Sequence, residues 1–401
     1  MFCVRKVTDD LFWVGGNDKR LALFENIHPI PRGVSYNSYL LLDKKTVLFD
    51  TVDWSVFRQF MENVDHVLNG RKLDYLVIHH MEPDHAASIE EITLRYPDVK
   101  IVSSEKAFML MRQFGFNIDG KEIEVKEGDS LSFGKHEITF YAAPMVHWPE
   151  VLVSFDKTNG VLFSADAFGS FGSLDGKLFN DEVNFDRDWI DDARRYYTNI
   201  VGKYGPQVQS LLKKALTLDI KMICPLHGPV WRTDLGYFID KHDKWSKYEP
   251  EDNAVMIVYS SMYGNTESAA NVLATKLVEK GITNVSVYDV SNTHVSTLIA
   301  ESFRVSHIVI ASVTYNLGIY PLMHNYLMDM KALNLQKRTV AVIENGSWAT
   351  KSGKLITEEL EKLKKMTILD EKVSLVSSMN ENNVDEMDSL VDVIVESMTK
   401  K

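Results

Sequence analysis

Four metal-type side chains fall within six residues at His80-Met81-Glu82-Pro83-Asp84-His85. The segment stands where the short apolar run Tyr75-Leu76-Val77-Ile78 ends and a helix over residues 86–92 is expected to begin. Alternate residues of extended backbone share a face, so His80, Glu82 and Asp84 are expected to point together. His85 joins them as the chain turns into the helix. The plain alternative is a helix start that is merely rich in Asp and His. Three more candidates occupy similar strand ends: His147 in Pro144-Met145-Val146-His147-Trp148, Asp166 in Phe163-Ser164-Ala165-Asp166, and His227 in Cys224-Pro225-Leu226-His227. Taken singly, each reads as a satisfied polar loop residue. His79 is one residue out of phase with His80 and is expected to face the other way, as packing or support. His28, just before the segment Pro29-Ile30-Pro31 to Tyr39, is read as structural, with a place lining the metal pocket as the alternative.

A second constellation suits a phosphate. Val255-Met256-Ile257-Val258-Tyr259 is a continuous apolar strand, the pattern of a strand buried on both faces. It opens into Ser260-Ser261-Met262-Tyr263-Gly264-Asn265-Thr266 and then a helix over residues 267–279. Hydroxyls and free amides entering a helix N-terminus make an anion site. The nucleoside-triphosphate loop pattern and Gly-x-Gly-x-x-Gly are both absent, so a single phosphate ester fits best. Two more loops follow strand-like runs, where ligands bind in such sheets. One is Thr314-Tyr315-Asn316-Leu317-Gly318, the other Asn345-Gly346-Ser347-Trp348. Tyr315 and Trp348 are expected to flank a planar ring.

Composition narrows the function classes. The chain has 401 residues, enough for two or three domains. Its formal charge of −12 disfavours a nucleic-acid partner, which needs a basic field. Two cysteines, Cys3 and Cys224, cannot build a cysteine-ligated iron–sulfur, rubredoxin-type or four-cysteine zinc centre. Their scarcity suggests a reducing compartment. No targeting segment or membrane span is expected, because the uncharged run over residues 305–328 is broken by Asn316, Gly318 and Pro321. A cytoplasmic protein with no membrane partner is the expectation.

The elements that must hold these residues fall into two regions. Before residue 250, strands are expected at 37–42, 46–50, 74–79, 99–102, 131–133, 137–142, 151–155, 161–164 and 221–224. Helices are expected at 54–68, 189–216 and 235–248. Mixed strands and helices suggest a sheet sandwich flanked by helices. Residues 247–253, broken by Pro250, read as the boundary between domains 1–249 and 250–401. Beyond it, strands at 255–259, 285–288, 305–311 and 339–343 alternate with amphipathic helices, the signature of a doubly wound parallel sheet.

The first region resembles the metallo-β-lactamase fold, an αβ/βα sandwich that binds two metals on one edge. The three loops of the second resemble flavodoxin, through the Ser/Thr-x-Thr/Tyr-Gly-x-Thr pattern. Zinc hydrolases of the first superfamily usually carry His-x-His-x-Asp-His. Here Glu82 replaces the second His, and an added carboxylate favours iron over zinc. The His-x-Glu-x-Asp-His variant, in this domain order, resembles the flavodiiron proteins over nearly the whole chain.

That resemblance implies an α/β chain with a diiron domain and an FMN domain, acting as an oxidoreductase. It implies reduction of O2 to water, of NO to N2O, or both, with the sequence unable to rank the two. His80, Glu82, His147 and Asp166 would hold one of two non-haem irons. Asp84, His85, Asp166 and His227 would hold the other. FMN would contact Ser261, Met262, Tyr263, Gly264, Asn265 and Thr266 through its phosphate. Thr314, Tyr315, Asn316, Gly318, Gly346, Ser347 and Trp348 would surround its ring. The resemblance further implies rubredoxin or a similar electron carrier, and a head-to-tail homodimer or dimer of dimers. A zinc hydrolase with an appended flavodoxin module, and an electron carrier with an inert metal site, are the competing readings.

Overall fold

The computed structural model describes residues 2–399. The chain divides into two compact units, Met1–Asp243 and Lys244–Lys401.

The first unit contains two mixed sheets. One has seven strands in the order Arg5–Lys6, Leu11–Trp13, Tyr39–Leu42, Thr46–Phe49, Tyr75–Val77, Lys100–Ser103 and Glu122–Glu124. The other has five: Ser130–Ser132, Glu137–Ala142, Leu152–Asp156, Val161–Phe163 and Met222–Cys224. Their apolar faces meet in the core, where Phe49 of the first stacks on Phe163 of the second at 4.0 Å between ring centroids. The strands that lead into His80, Asp166 and His227 are buried along their length or nearly so. Val161–Phe163 and Met222–Cys224 pair in parallel. The loops carrying Asp166 and His227 therefore leave from the same end.

The helical stretch expected over residues 189–216 is not one helix. It is α-helical at Ile190–Tyr196, widens into a π turn at Tyr197–Val201, tightens at Gly202–Tyr204 and resumes at Gly205–Ala215. Gly202, Gly205 and Pro206 interrupt the regular ladder there, and such breaks in a helix trace to these residue types.

The second unit holds a five-stranded parallel sheet in the order Val285–Asp289, Asp252–Ser260, Val305–Tyr315, Thr339–Asn345 and Thr367–Leu375. Both faces are covered. Met256, Val258, Ile308, Ile310, Val340 and Val342 pack on one side with Leu298, Met323 and Ile356. Their neighbours Val255, Ile257, Val309, Ala311, Ala341 and Ile343 pack on the other with Ala269, Leu273 and Met387. The fifth strand escaped the sequence reading. Asp370-Glu371-Lys372 interrupts its apolar pattern, which an edge strand half open to water tolerates. Among the described residues no helix is long and apolar enough to cross a membrane.

Candidate metal centre and flavin crevice

The seven expected ligands converge, in two groups. His80, Glu82, His147 and Asp166 form one and Asp84, His85 and His227 the other, with the ligand atoms of each group within 4.8 Å of one another. The chain's turn into a helix at Pro83 creates this division. Glu82 is the last extended residue, and Asp84 and His85 lie in the short helix Pro83–Ala86. The expectation that His80, Glu82 and Asp84 share one face therefore fails at Asp84. The helical turn rotates it away from Glu82 and onto the second group.

In the first group, His147 Nε2 lies 3.0 Å from Glu82 Oε2 and 3.1 Å from Asp166 Oδ2. His80 Nε2 lies 3.3 Å from Glu82 Oε2 and 3.4 Å from Asp166 Oδ2. In the second, Asp84 Oδ2 is 3.3 Å from His85 Nε2 and 3.2 Å from His227 Nε2. Asp166 Oδ1 completes it, 3.2 Å from His85 Nε2 and 3.8 Å from His227 Nε2. All seven side chains are buried. Aromatic rings close the surroundings: Phe24, Tyr36 and Tyr196 edge toward His227, and Trp148 toward His80.

Three buried carboxylates this close together demand positive charge. Burial opposes a charge on the His80 ring, yet hydrogen bonds to Glu150 and Glu82 outweigh it and carry its pKa well above the ordinary range. Burial is likewise overcome at His147, which Asp166 and Glu82 lift to about 9. Burial, with Glu82 and Asp166 nearby, pushes Asp84 up to about 8 against the pull of His85. Both Asp84 oxygens and Asp166 Oδ1 are buried without a hydrogen-bond donor. A pair of cations satisfies these orphaned acceptors and the convergent ring nitrogens together, so the donor set fits two metal ions.

His79 faces the other way. Its Nδ1 meets Asp50 Oδ2 at 2.5 Å and its Nε2 meets Ser154 Oγ at 2.8 Å, inside the core. His28 lies on a hairpin beside the site, 3.7 Å from Glu25.

The second unit carries a crevice at the C-terminal ends of its strands. Ser261, Met262, Tyr263, Asn265, Thr266, Thr314, Asn316, Gly346, Ser347 and Trp348 all line it. Gly264 does not. It sets the turn into the helix Asn265–Glu279 with a φ of +89°, and its amide donates to Ser261 Oγ. That helix has no side-chain cap, so its first amides are open to an anion. Tyr315 and Gly318 also lie outside the lining. They pair with each other in a short antiparallel ribbon, and the Tyr315 ring rests on Tyr320. Of the two aromatics expected to flank a ring, only Trp348 stands at the crevice, 90% exposed, and Tyr263, which also lines it, is equally exposed.

The comparisons agree with both units. Residues 34–228 match the model of the ODP family beta lactamase, and residues 257–390 that of flavodoxin. An anaerobic nitric oxide reductase flavorubredoxin of Aeromonas hydrophila is 31% identical over 348 residues, covering 85% of this chain and 70% of that protein. A nitric oxide reductase of Moorella thermoacetica is 30% identical over 361 residues, covering 89% and 90%. The rubredoxin oxygen:oxidoreductase structure from Desulfovibrio gigas superposes with a TM-score of 0.91 at 28% identity, over 98% of each chain.

The chain belongs to the flavodiiron proteins. As a flavodiiron protein it is an oxidoreductase. Sequence reasoning missed three residues beside the metal ligands or the crevice, and it quoted a fourth, Asn345, in its loop without giving it a role. Glu150 accepts hydrogen bonds from His80 Nδ1 and the Met81 amide, each at 2.9 Å. Burial and the neighbouring Glu82 push the Glu25 carboxyl up to about 7. Asn345 Nδ2 donates to Thr266 Oγ1 and to the Ser377 carbonyl, and Ser377 joins the crevice lining. Asn345 was within reach, being next to Gly346 at a strand end. Ser377 follows the strand that the charged run concealed. Glu25 and Glu150 carry no local signal, since only folding brings them to the ligands.

Proposed function

We propose that this protein reduces O2 to water, NO to N2O, or both, at a non-haem diiron centre fed by FMN. The observation that carries the reading is the placement of Asp166. Its Oδ2 faces His80 and His147 while its Oδ1 faces His85 and His227, the arrangement of a carboxylate shared by two ions. His80, Glu82, His147 and Asp166 would hold one iron, and Asp84, His85, His227 and Asp166 would hold the second.

When bound, two ferrous ions and a reduced flavin together supply up to four electrons, enough to take O2 to water without releasing superoxide or peroxide. The residues of the chain supply the rest. The three carboxylates offset the charge of the ions, and a donor set rich in oxygen favours iron over zinc. The ring shell of Phe24, Tyr36, Tyr196 and Trp148 limits water around the site. Thr266 and the open helix N-terminus at Asn265 receive the FMN phosphate, and the Trp348 ring stands where it can cover the isoalloxazine. Glu82 also weighs against the zinc-hydrolase reading, and the convergence of all seven ligands weighs against an inert site.

Electrons enter from an external carrier of the rubredoxin type, because two cysteines and the absence of a dinucleotide fingerprint leave the chain without its own relay or NAD(P)H site. The working unit is a cytoplasmic head-to-tail homodimer in which FMN of one subunit serves the irons of the other. The test is consumption of O2 and of NO by the iron-loaded, FMN-loaded and fully reduced protein. Rapid uptake of either gas supports the reading. A protein that carries both cofactors and consumes neither gas overturns it.

A further inference from the structure

The rings of the candidate ligands are backed unequally on the side away from the metals. His80 Nδ1 lies 2.9 Å from Glu150 Oε1, which also accepts the Met81 amide at 2.9 Å. Glu150 is 3% exposed, and its second oxygen has no hydrogen-bond partner. It is held from behind by Ser104, whose hydroxyl donates to the Glu150 carbonyl at 3.1 Å. His227 Nδ1 donates instead to a neutral backbone acceptor, the Ser35 carbonyl, at 2.7 Å. His85 Nδ1 is buried with no hydrogen-bond partner. Among these three rings, only that of His80 rests on a carboxylate.

A neutral imidazole has one N–H, and the opposite nitrogen carries the lone pair a metal needs. A carboxylate at Nδ1 holds the proton there, orients the ring and makes Nε2 more basic. A carbonyl does this more weakly. A more basic ligand stabilises the higher oxidation state of its metal, because it donates more charge to the more electron-poor ion.

We propose that Glu150 is a positioning residue for His80, so that the ion in the His80, Glu82, His147 and Asp166 group is bound more tightly, and keeps its oxidised state better, than the ion in the Asp84, His85 and His227 group. The inference rests on the diiron reading and goes beyond it by making the two ions inequivalent for a stated reason.

The test uses the full chain loaded with iron and FMN, comparing the parent with Glu150→Gln and Glu150→Asp. Iron release to a ferrous chelator gives the relative affinities. A redox titration followed by the electron paramagnetic resonance of the half-reduced pair gives the order of reduction. The parent is expected to release its two irons at distinct rates and to reduce them in two steps. Glu150→Gln keeps a side-chain acceptor but removes the charge. It should speed release of the slower iron by about 10–100-fold, the usual effect of losing such a partner, and raise that iron's potential while leaving the other iron unchanged. Glu150→Asp restores the charge on a shorter arm and should recover part of both effects.

Parental release and potentials in Glu150→Gln would overturn the proposal. So would equal effects of Gln and Asp that follow a common fall in unfolding temperature, since those report packing alone. If neither variant folds, the parent still decides: two irons that leave at one rate and titrate in one step overturn it. A parent that takes up no iron overturns the diiron reading, and this inference with it. A parent with two irons and a silent Glu150→Gln overturns this inference alone.

Discussion

The Nε2 atoms of His85 and His227 face each other across 2.9 Å. Both rings are fully buried, and Asp84 Oδ2 sits beside the pair, 3.3 Å from one and 3.2 Å from the other. Two imidazole nitrogens aimed at one point beside a carboxylate are placed for a shared cation rather than for each other. The first unit gains this geometry from chain segments more than a hundred residues apart.

Removing the shared carboxylate should separate metal from flavin. Asp166→Ala is expected to lose at least one of the two irons and to abolish gas reduction, while FMN content stays at one per chain. The ligands and the flavin crevice belong to different compact units. Metal analysis, flavin absorbance and gas consumption on one preparation check this. A variant with two irons and parental turnover would show that Asp166 is not a ligand.

Gly346 offers a test of the crevice. A Cβ there would lie 2.1 Å from the Ala349 carbonyl oxygen, far inside contact distance, so Gly346→Ala must open the loop that carries Trp348. FMN affinity is expected to fall at least tenfold, corresponding to a cost of about 1.4 kcal/mol. The far-ultraviolet circular dichroism should not change. FMN titration of the apoprotein, followed by flavin fluorescence, measures the loss.

The carrier should be recognised by charge. Lys351 and Lys354 are exposed at the end of the Trp348 loop, on a protein whose overall charge is −12. Reversing both to Glu is expected to slow reduction by an acidic rubredoxin by about tenfold at low salt. The difference should shrink as ionic strength rises. Stopped-flow reduction at two salt concentrations checks it. Equal rates at low salt would place docking elsewhere. The purified parent should also oxidise NADH only slowly without a carrier.

Subunit complementation addresses the dimer. His227→Ala and Gly264→Trp are each expected to be inactive, the first through its metals and the second through its flavin. If FMN of one subunit serves the irons of the other, a mixed dimer holds one intact pair and gas reduction partly returns. Verified subunit exchange without any recovery would exclude the shared arrangement.

A pH dependence of stability should arise away from the metals. His136 donates from Nδ1 to Asp156 at 2.8 Å and from Nε2 to Asp10 at 2.9 Å. Its backbone amide donates to Asp43, and Lys135 also reaches Asp10. Burial opposes the charge on His136, but Asp156 and Asp10 outweigh it and raise its pKa. A raised histidine contributes stability that is full below its unfolded value, about 6.5, and is lost as pH climbs through the folded value. Asp10, which burial alone would raise, is held low by its His136 hydrogen bond, so its share is lost on acidification instead. The first unit should therefore unfold more easily at pH 9 than at pH 6. His136→Gln should cost about 2 kcal/mol at pH 6 and flatten the alkaline decline. Thermal unfolding of parent and variant from pH 5 to 9 reads both effects.

Local spacing by itself determined much of this protein. The unbroken apolar run Val255-Met256-Ile257-Val258-Tyr259 reports burial on both faces, because the pleat sends successive side chains to opposite sides. The cluster from His80 to His85 reports a metal loop, because so many ligand types in one turn have few other uses. Spacing alone put Asp84 with His80 and Glu82, and the physical cause of the division that the family resemblance implied came only from the tertiary structure. Asp84 parts from Glu82 because the backbone coils at Pro83, and Asp166 reaches both groups because its loop leaves the sheet beside that of His227. Glu150 backs His80 from 70 residues away, and Ser377 reaches the crevice from a strand whose charges hid it. Each of these depends on pairings between distant segments, and a linear pattern carries no record of which distant loop will lie beside which.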